Sequence, residues 1–267
     1  MCPNAASSRS LGNNLVAWCM IGSMSDSYLV IDIETIVDVA LPLPARTDVA
    51  SLPPAPFHQI IAIGALWLDS AYRPIKLGVV GAYKSEAEVL ESFVRFVEER
   101  RPDLVTYNGR GFDLPVIVAR CLRHGVPFRH YYATSGIRNR FFTSGHFDLM
   151  DFMTDFGASR AVPLDTMTKM IGLPGKVGVD GKDVGPLFHA GRIEEVHAYC
   201  LCDVAQTAAL FLRIQLLRGF FDRDGYRTAM EHLLSMMQSD QRVRPVYEAI
   251  NRGALMLDES TGPSDIV

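Results

Sequence analysis

The sequence lacks the features that would assign it to a specialised class of protein. Its 267 residues include five cysteines and no Cys-x-x-Cys pair, which argues against a disulfide scaffold and against a zinc knuckle. No apolar stretch approaches the roughly 18 residues that a membrane-spanning helix needs. Positive charge is not in excess, because 26 Lys and Arg against 30 Asp and Glu give a net charge of -4. We therefore expect a protein of the reducing cytoplasm with no membrane partner, and its overall charge counts mildly against a nucleic-acid partner.

The composition that is present is that of an ordinary globular protein, with 48% hydrophobic and 21% charged residues. A chain of this length buries roughly three quarters of its unfolded surface, which supports one substantial domain or two small ones. Residues 1–25 are predicted to be a flexible leader or an over-long start with Met24 as the natural beginning, although the apolar run at 15–22 also allows a signal peptide. We place the main domain at 26–219 and a C-terminal helical extension at 220–267.

Apolar periodicity predicts strands and helices in mixed order, beginning with three strands, a helix, a strand and a second helix. Ser85 and Glu88 form a capping-box signature at the start of the first helix. Five glycines predict a mobile loop at 172–185. The predicted elements are strands at 28–34, 60–68, 76–82, 103–107 and 146–150, and helices at about 86–100, 113–125, 164–171 and 193–218.

Two acids, two residues apart, end the first predicted strand. Asp32 and Glu34 point to the same face of that strand, among apolar neighbours. Two like charges placed there resist ionisation unless a cation or strong donors compensate. The structural interpretation is a pair of exposed acids at a strand end, and the functional one is a cation site.

Two further acids lie at positions that suggest a function, one at a strand-to-helix turn and one on a largely apolar helix face. Asp113 follows a strand and two glycines, Gly109 and Gly111, which let the backbone approach a ligand closely. A helix N-cap is the alternative role for this residue. Tyr199 and Asp203 share one face of the last long helix at i and i+4. An unpaired acid on that largely apolar face favours a metal ligand.

Three motifs together resemble those of the DEDD 3′–5′ exonuclease superfamily, namely Asp32-x-Glu34 on a strand, Asn108-x-x-x-Phe112-Asp113 at a strand-to-helix turn and Tyr199-x-x-x-Asp203 on a late helix. The last motif is similar to the tyrosine branch, since the histidine branch would need histidine where this chain has Ala198. Residues 107–115 resemble the proofreading exonuclease of B-family DNA polymerases. The stretches 148–151, 172–176 and 199–204 resemble stand-alone predicted exonucleases called PolB-like.

The resemblance spans residues 26–219 and implies an RNase H-like α/β fold with a mixed five-stranded sheet flanked by helices. It implies a metal-dependent 3′–5′ exonuclease that releases nucleoside 5′-monophosphates from single-stranded DNA or RNA. Two divalent ions, Mg²⁺ or Mn²⁺, are implied as cofactors, because hard ions prefer oxygen ligands such as carboxylates. In phosphodiester hydrolysis one ion activates the attacking water and the other stabilises the leaving oxygen. The implied roles are Asp32 bridging both ions, Glu34 and Asp203 completing the first site, Asp113 reaching the second, and Tyr199 orienting the attacking water.

Substrate contacts are predicted close to these acids. Thr35 and Ile36 follow the strand acids, where the resemblance implies contact with the last base. Asn108 and Arg110 lie beside Asp113 in the glycine turn and are expected to bind the terminal nucleotide. Phe112 is expected to pack under its helix rather than to stack on a base. Between residues 100 and 146, eight arginines face only two acids, which predicts a basic flank suited to single-stranded nucleic acid. The acids at 148, 151 and 155 are expected to be caps or a solvated face, and the remaining histidines receive no role.

The predicted partner is the 3′ end of a single-stranded nucleic acid, and the sequence does not choose between DNA and RNA. The chain lacks polymerase motifs, so a polymerase or repair partner would be a separate protein. The alternative function is a catalytically inactive nuclease fold that only binds nucleic acid. The presence of all four acids and Tyr199 disfavours that alternative.

Overall fold

A computed structural model describes residues 26–41 and 53–258, so the predicted leader at 1–25 lies outside the described residues. Five strands form one sheet in the order β3-β2-β1-β4-β5. β1 pairs antiparallel with β2, and β2 with β3, whereas β4 runs parallel to both β1 and β5. This mixed sheet confirms the predicted RNase H-like α/β class. The strands are β1 (Ser27–Val37), β2 (His58–Asp69), β3 (Pro74–Val79), β4 (Asp103–Thr106) and β5 (His146–Asp148).

Helices cover both faces of the sheet. In chain order they are α1 (Glu86–Arg100), α2 (Asp113–His124), α3 (Arg129–Ala133), α4 (Ser135–Arg138), α5 (Leu149–Met153), α6 (Leu164–Met170), α7 (Val184–His189), α8 (Ile193–Leu217), α9 (Arg223–Ser239), α10 (Arg244–Glu248) and α11 (Arg252–Met256). The helices α1 and α2 pack on one face, while α8 and α9 pack on the other.

The central strand β1 explains where the first two acids lie. Its residues Leu29, Ile31 and Ile33 join the core formed with α1 and α2. The alternate residues before Asp32 join the core formed with α8 and α9. The period of two therefore places Asp32 and Glu34 on the α8 face, just where the apolar residues of the strand stop.

Local sequence signals set several helix ends as predicted. The backbone N–H and the hydroxyl of Ser85 both donate to Glu88 Oε2, over 3.0 Å and 2.6 Å, which completes the capping box of α1. Gly125 ends α2 in a left-handed conformation with φ 67°. Because these caps satisfy backbone groups locally, they form wherever the tertiary fold puts the helix.

Three predicted segments differ from the structure. The strand predicted at 146–150 ends at Asp148, whose carboxylate accepts the N–H groups of Met150 and Asp151 and so starts α5. The segment predicted as a loop at 172–185 contains a 3-10 turn and the first residues of α7. The third strand stops at Val79 rather than at 82.

The helix α8 passes the length and composition test for a membrane span, which corrects the expectation that no apolar stretch comes near it. Most of its apolar residues are buried inside the protein against β1, β2 and α9. The helix is apolar nearly all round because it lies between the sheet and the C-terminal helices, which is the pattern of a core helix.

The C-terminal helices share the core of the sheet. Tyr226, Met230 and Leu233 of α9 are fully buried and belong to the same apolar cluster as α8 and β1. The Tyr226 hydroxyl donates to the Leu255 carbonyl over 2.7 Å, which ties α9 to α11. The division at residue 219 stays a prediction about sequence organisation, but in space the described helices beyond it pack as one body with α8.

A buried ion-pair network joins the end of β1 to α1 and α2. The Arg120 guanidinium, with a side chain only 3% exposed, contacts Asp38 Oδ2 at 2.6 Å and Glu86 Oε2 at 2.5 Å. Glu86 Oε1 also accepts the backbone N–H of Ile60 over 2.7 Å. One cation therefore holds two acids, one just beyond the end of β1 and one bonded to the start of β2.

Replacing Arg120 with leucine should destabilise the protein by about 3–5 kcal/mol, because two buried carboxylates lose their shared cation. Urea unfolding followed by circular dichroism measures this loss. The control is Arg252→Leu, which breaks the Arg252–Glu231 pair whose side chains are about half exposed, and whose loss should cost roughly 0–1 kcal/mol. Equal losses in the two variants would contradict a structural role for the buried network.

Candidate active site

The two strand acids lie where β1 and β2 depart from regular pairing. Asp32 is paired with Gly64, and Glu34 with Ala62, after which the register shifts so that Thr35 faces Ile60. A bulge at this point increases the local twist and re-aims the side chains beside it. Glu34 is 8% exposed on the central strand, so the alternative of exposed acids at a strand end is wrong.

The Asp113 carboxylate contacts β1 where that strand is no longer paired with β4. The parallel pairing of β1 with β4 extends only from Tyr28 to Val30, and β1 continues well beyond it. The backbone N–H of Ile33 therefore has no strand partner on that side and donates to Asp113 Oδ1 over 3.2 Å. Asp113 is the first residue of α2 rather than its N-cap, so the capping alternative is wrong and the carboxylate is directed at the strand that carries the other two acids.

The turn before Asp113 is built on glycines where a larger residue would force neighbouring side chains to shift. A Cβ at Gly109 would lie 2.4 Å from Thr106 Oγ1, and one at Gly111 would lie 2.4 Å from Asn108 Oδ1. Asn108 adopts a left-handed conformation with φ 66°. Asp148 Oδ1 accepts the N–H of Asn108 over 3.0 Å, which fixes the turn from the neighbouring strand.

The helix α8 supplies the fourth acid and the tyrosine. Tyr199 and Asp203 lie one turn apart, and the Tyr199 hydroxyl hydrogen-bonds to the Asp203 carboxylate. Between them, the Cys200 thiol donates to the backbone carbonyl of Asp32 over 3.4 Å and lies 3.8 Å from Asp32 Oδ2. A Cβ at Gly64 would lie 2.7 Å from the Cys200 sulfur, so only glycine lets the helix come this close to the strands.

Burial and mutual repulsion raise the pKa of every acid in the cluster. Burial raises the pKa of Asp32 and of Glu34 well above the usual range, and the carboxylates of Asp113 and Asp203 raise both further. Burial raises the pKa of Asp113 to about 7. Burial also raises the pKa of Asp203 to about 6, although the hydrogen bond from Tyr199 opposes the rise. The cluster therefore favours bound cations or protons.

The donor set fits a divalent cation. Glu34 forms no hydrogen bond or ion pair with any residue in the described part of the chain, although its side chain is more than nine-tenths buried. Ligand atoms of Asp32, Glu34 and Cys200 lie within 4.8 Å of one another. A buried carboxylate without a donor, beside another carboxylate, is the arrangement that a hard, oxygen-binding ion such as Mg²⁺ or Mn²⁺ stabilises.

The glycine-rich segment after α6 lies over this cluster. A Cβ at Gly181 would be 3.8 Å from the Tyr199 hydroxyl. Lys176 pairs with Asp180 across the same segment and lowers the pKa of Asp203 by its charge. The segment therefore brings a lysine close to the last acid, and no sequence motif predicts that proximity.

The predicted substrate residues divide into two groups. Thr35 and Ile36 are half-buried and continue β1 beyond Glu34, beside the acids. Asn108 is half-buried in the glycine turn. Arg110 is directed elsewhere, because its guanidinium donates to the carbonyls of Ile137 and His146 over 2.6 Å and 2.8 Å. A nucleotide contact by Arg110 stays a prediction that these bonds do not support.

The basic flank predicted from residues 100–146 is largely neutralised in the fold. Arg110 and Arg140 both contact Asp151, which is buried, whereas a cap or a solvated face was expected of it. Arg120 and Arg123 both contact Asp38. Half of the eight arginines are therefore committed to ion pairs, all of them with acids from outside that stretch of sequence.

Three site residues were missed by sequence reasoning. Cys200 and Gly64 carried no signal, because their role depends on the approach of α8 to β2. His58 was given no role, yet it is 3% exposed and contacts both Thr35 and Phe112. Phe112 is half-buried against that ring. The only available signal was the position of His58 at the start of the strand paired with β1, which becomes visible once the register is known.

Comparison with known proteins assigns the chain to a family. A family described as "Predicted 3'-5' exonuclease related to the exonuclease domain of PolB" matches residues 51–250. The chain belongs to that family. The match includes the glycine turn, Asp113, Tyr199 and Asp203, while Asp32 and Glu34 lie before its first residue. The structure adds these two acids to the matched region through the pairing of β1 with β2.

Among curated proteins, DNA polymerases are similar to part of this family member. The DNA polymerase of Thermococcus aggregans is 41% identical over 56 residues, and that of Thermococcus litoralis is 39% identical over 56 residues. The DNA polymerase of Pyrococcus glycovorans is 36% identical over 56 residues. Each alignment covers 21% of this chain but only 3%, 3% and 7% of the respective polymerase. The chain thus spans a small fraction of the length of these relatives.

The metal-free protein should lose stability as pH rises from about 4 to about 7. The folded state raises the pKa of these acids, so it binds more protons than the unfolded chain within that range, and their contribution falls as they ionise. Urea unfolding in EDTA at about pH 5 and about pH 8 measures the difference.

In the variant Glu34→Gln this pH dependence should be weaker, because one buried charge is absent. The matched control is Glu231→Gln, which alters an exposed acid of α9. An identical pH dependence in wild type and Glu34→Gln would show that the cluster does not carry the repulsion assigned to it. Adding Mg²⁺ or Mn²⁺ at about pH 8 should restore stability to wild type more than to Glu34→Gln.

Proposed function

We propose that the protein is a metal-dependent 3′–5′ exonuclease that hydrolyses terminal phosphodiesters of single-stranded DNA or RNA. The observation that carries the proposal is the buried Glu34 carboxylate, which has no partner among the described residues and lies beside Asp32. Asp113 and Asp203 add two more carboxylates whose charges raise the pKa of Glu34. Membership of a family of predicted 3′–5′ exonucleases supports the same reaction.

Four acids would hold two divalent ions. Asp32 would contact both, Glu34 and Asp203 would complete one site, and Asp113 would serve the other. When bound, such ions supply activation of water and stabilisation of the leaving oxygen of the phosphodiester. The protein contributes rigid placement, because each acid is fixed by a different element: the central strand, the first turn of α2 and the middle of α8.

Tyr199 suits the role of a positioning donor. Burial raises the pKa of its hydroxyl, and the neighbouring carboxylates of Asp203 and Glu34 raise it further. The hydroxyl therefore keeps its proton at neutral pH and can donate to an attacking water or to a phosphate oxygen, but it cannot act as a general base. Its hydrogen bond with Asp203 also holds that acid in place.

The proposed substrate is a single-stranded 3′ end. Thr35, Ile36 and Asn108 lie on the elements that carry the acids. Lys176 lies close to Asp203 and would contact a phosphate by leaving its exposed pair with Asp180. A separate polymerase or repair protein is proposed as a partner if the enzyme proofreads. DNA and RNA remain alternative substrates, which matched oligonucleotides would separate.

The decisive experiment follows release of mononucleotides from a 5′-labelled and a 3′-labelled single-stranded oligonucleotide with Mg²⁺ or Mn²⁺. Wild type should release labelled nucleotide first from the 3′ end. Asp32→Asn and Asp203→Asn should reduce the rate to background, because each removes a negative ligand at nearly constant volume. Glu231→Gln, at an exposed acid of α9 that pairs with Arg252, is the matched control and should keep full activity.

Two other outcomes are informative. If wild type and the two Asn variants release nucleotides at the same rate, the catalytic assignment is wrong. If wild type binds the oligonucleotide but releases nothing with either metal, the alternative of a nucleic-acid-binding nuclease fold is supported instead.

Tyr199→Phe should reduce kcat by about 10–100-fold and leave KM nearly unchanged, because the hydroxyl orients groups around the reaction without binding the rest of the substrate. Steady-state kinetics over a range of oligonucleotide concentrations separates the two constants. A variant with normal kcat would remove Tyr199 from the mechanism.

A further inference from the structure

The residue that sequence reasoning left without a role, His58, forms a buried link between two segments that flank the acids. Its Nδ1 lies 2.9 Å from Thr35 Oγ1, and its Nε2 lies 2.8 Å from the Pro53 carbonyl oxygen. Its ring meets the ring of Phe112 edge to face, with centroids 5.0 Å apart. Thr35 follows the acid Glu34, and Phe112 precedes the acid Asp113.

These contacts define the proton positions of the neutral imidazole. A carbonyl oxygen can only accept, so Nε2 must carry the hydrogen that bonds to Pro53. A neutral imidazole has a single N–H, so Nδ1 is an acceptor and the Thr35 hydroxyl is the donor to it. The Thr35 oxygen then has no hydrogen left to give, and its lone pairs are its only remaining hydrogen-bonding capacity.

A hydroxyl held in this way can form a further hydrogen bond only with a donor group. It can accept from a hydroxyl of a terminal sugar, but it cannot donate to a phosphate oxygen, which is an acceptor only. A site built to bond a substrate hydroxyl discriminates strongly against an analogue that lacks it, since its own polar group is then left unpaired. The bulge between Glu34 and Thr35 sets the position of this hydroxyl relative to the acids.

We propose that His58 is a positioning residue that fixes the Thr35 hydroxyl as an acceptor for a sugar hydroxyl at the terminal nucleotide, while its ring supports Phe112. This inference rests on the proposed exonuclease function, because it assumes that a nucleic-acid end lies beside Glu34. It names the chemistry that the end must present: a hydroxyl donor on the sugar. The donor is either the 3′-hydroxyl or the 2′-hydroxyl, and the experiment distinguishes them.

The experiment uses single-stranded oligonucleotides that differ only in the last sugar: 3′-hydroxyl with 2′-hydrogen, 2′-hydroxyl with 3′-hydrogen, and both positions hydrogen. Binding is measured by fluorescence anisotropy with Ca²⁺, under conditions where no nucleotide is released, and kcat/KM is measured with Mg²⁺. Wild type should prefer one hydroxyl-bearing end over the fully deoxygenated end by roughly ten-fold, the equivalent of one hydrogen bond. The preferred end identifies which hydroxyl is recognised.

Variants of the pair test the link itself. Thr35→Val removes the hydroxyl at equal volume and should abolish the preference, whereas Thr35→Ser should retain it. His58→Ala should abolish it as well, although Thr35 is intact, and His58→Gln should restore part of it because a side-chain amide can accept and donate at once. The double variant Thr35→Val/His58→Ala should be no worse than either single variant in this preference, as expected for two residues that act through one bond.

Two controls and one further outcome keep the results distinct. His232→Ala removes an exposed histidine of α9 and should leave the preference unchanged. Thermal unfolding identifies a variant that fails to fold, and in that case the conclusion is drawn from Thr35→Val and His58→Gln. Loss of nucleotide release in wild type, with the binding preference intact, would refute the proposed function without refuting this inference.

The inference is overturned by either of two results. In the first, wild type binds all three ends equally. In the second, His58→Ala binds every end more weakly but keeps the full preference, which would make His58 a purely structural residue.

Discussion

Repulsion among four carboxylates around the central strand is the constraint on which the rest of this structure depends. Asp32 and Glu34 are placed by the strand itself, and Asp113 and Asp203 are brought to it by two helices on opposite faces of the sheet. Donors from the protein offset only part of the cost: the Ile33 N–H for Asp113 and the Tyr199 hydroxyl for Asp203. Glu34 has no such donor in the described part of the chain. A fold that keeps this arrangement is organised for cations.

Several irregular features serve to bring the acids together. The early end of β4 frees the N–H that holds Asp113, and the bulge in β2 sets the direction of β1 just past Glu34. Gly64 removes the one side chain that would keep α8 away from the strands. The Arg120 network then ties the far end of β1 to both flanking helices. If β4 continued along β1 beyond Val30, the backbone N–H of Ile33 would be engaged in the sheet and would not hold Asp113.

The elements themselves were largely predictable, because their signals are local. The capping box of α1, the glycine at the end of α2 and the apolar run of β1 each concern a few neighbouring residues. The same is true of the acids, whose residue types and spacing are readable in the chain. The errors came from interactions over long sequence distances. Asp148 is a helix cap, one of the two roles expected of it, but it is buried and also holds the glycine turn. Asp151, expected as a cap or on a solvated face, is buried and pairs with two arginines of the predicted basic flank.

By itself, the sequence determined the α/β class, the central strand with its two acids, and the two motifs that supply the others, since periodicity and spacing act within single elements. Only the tertiary structure decided which charged groups remain available. In the fold, the guanidinium groups of Arg110 and Arg120 bond to other groups of the protein. Cys200 and Gly64 lie where α8 contacts the strands. His58 hydrogen-bonds to Thr35. The physical reason is that hydrogen bonds and ion pairs depend on proximity in space, which the strand register and the packing of helices set together.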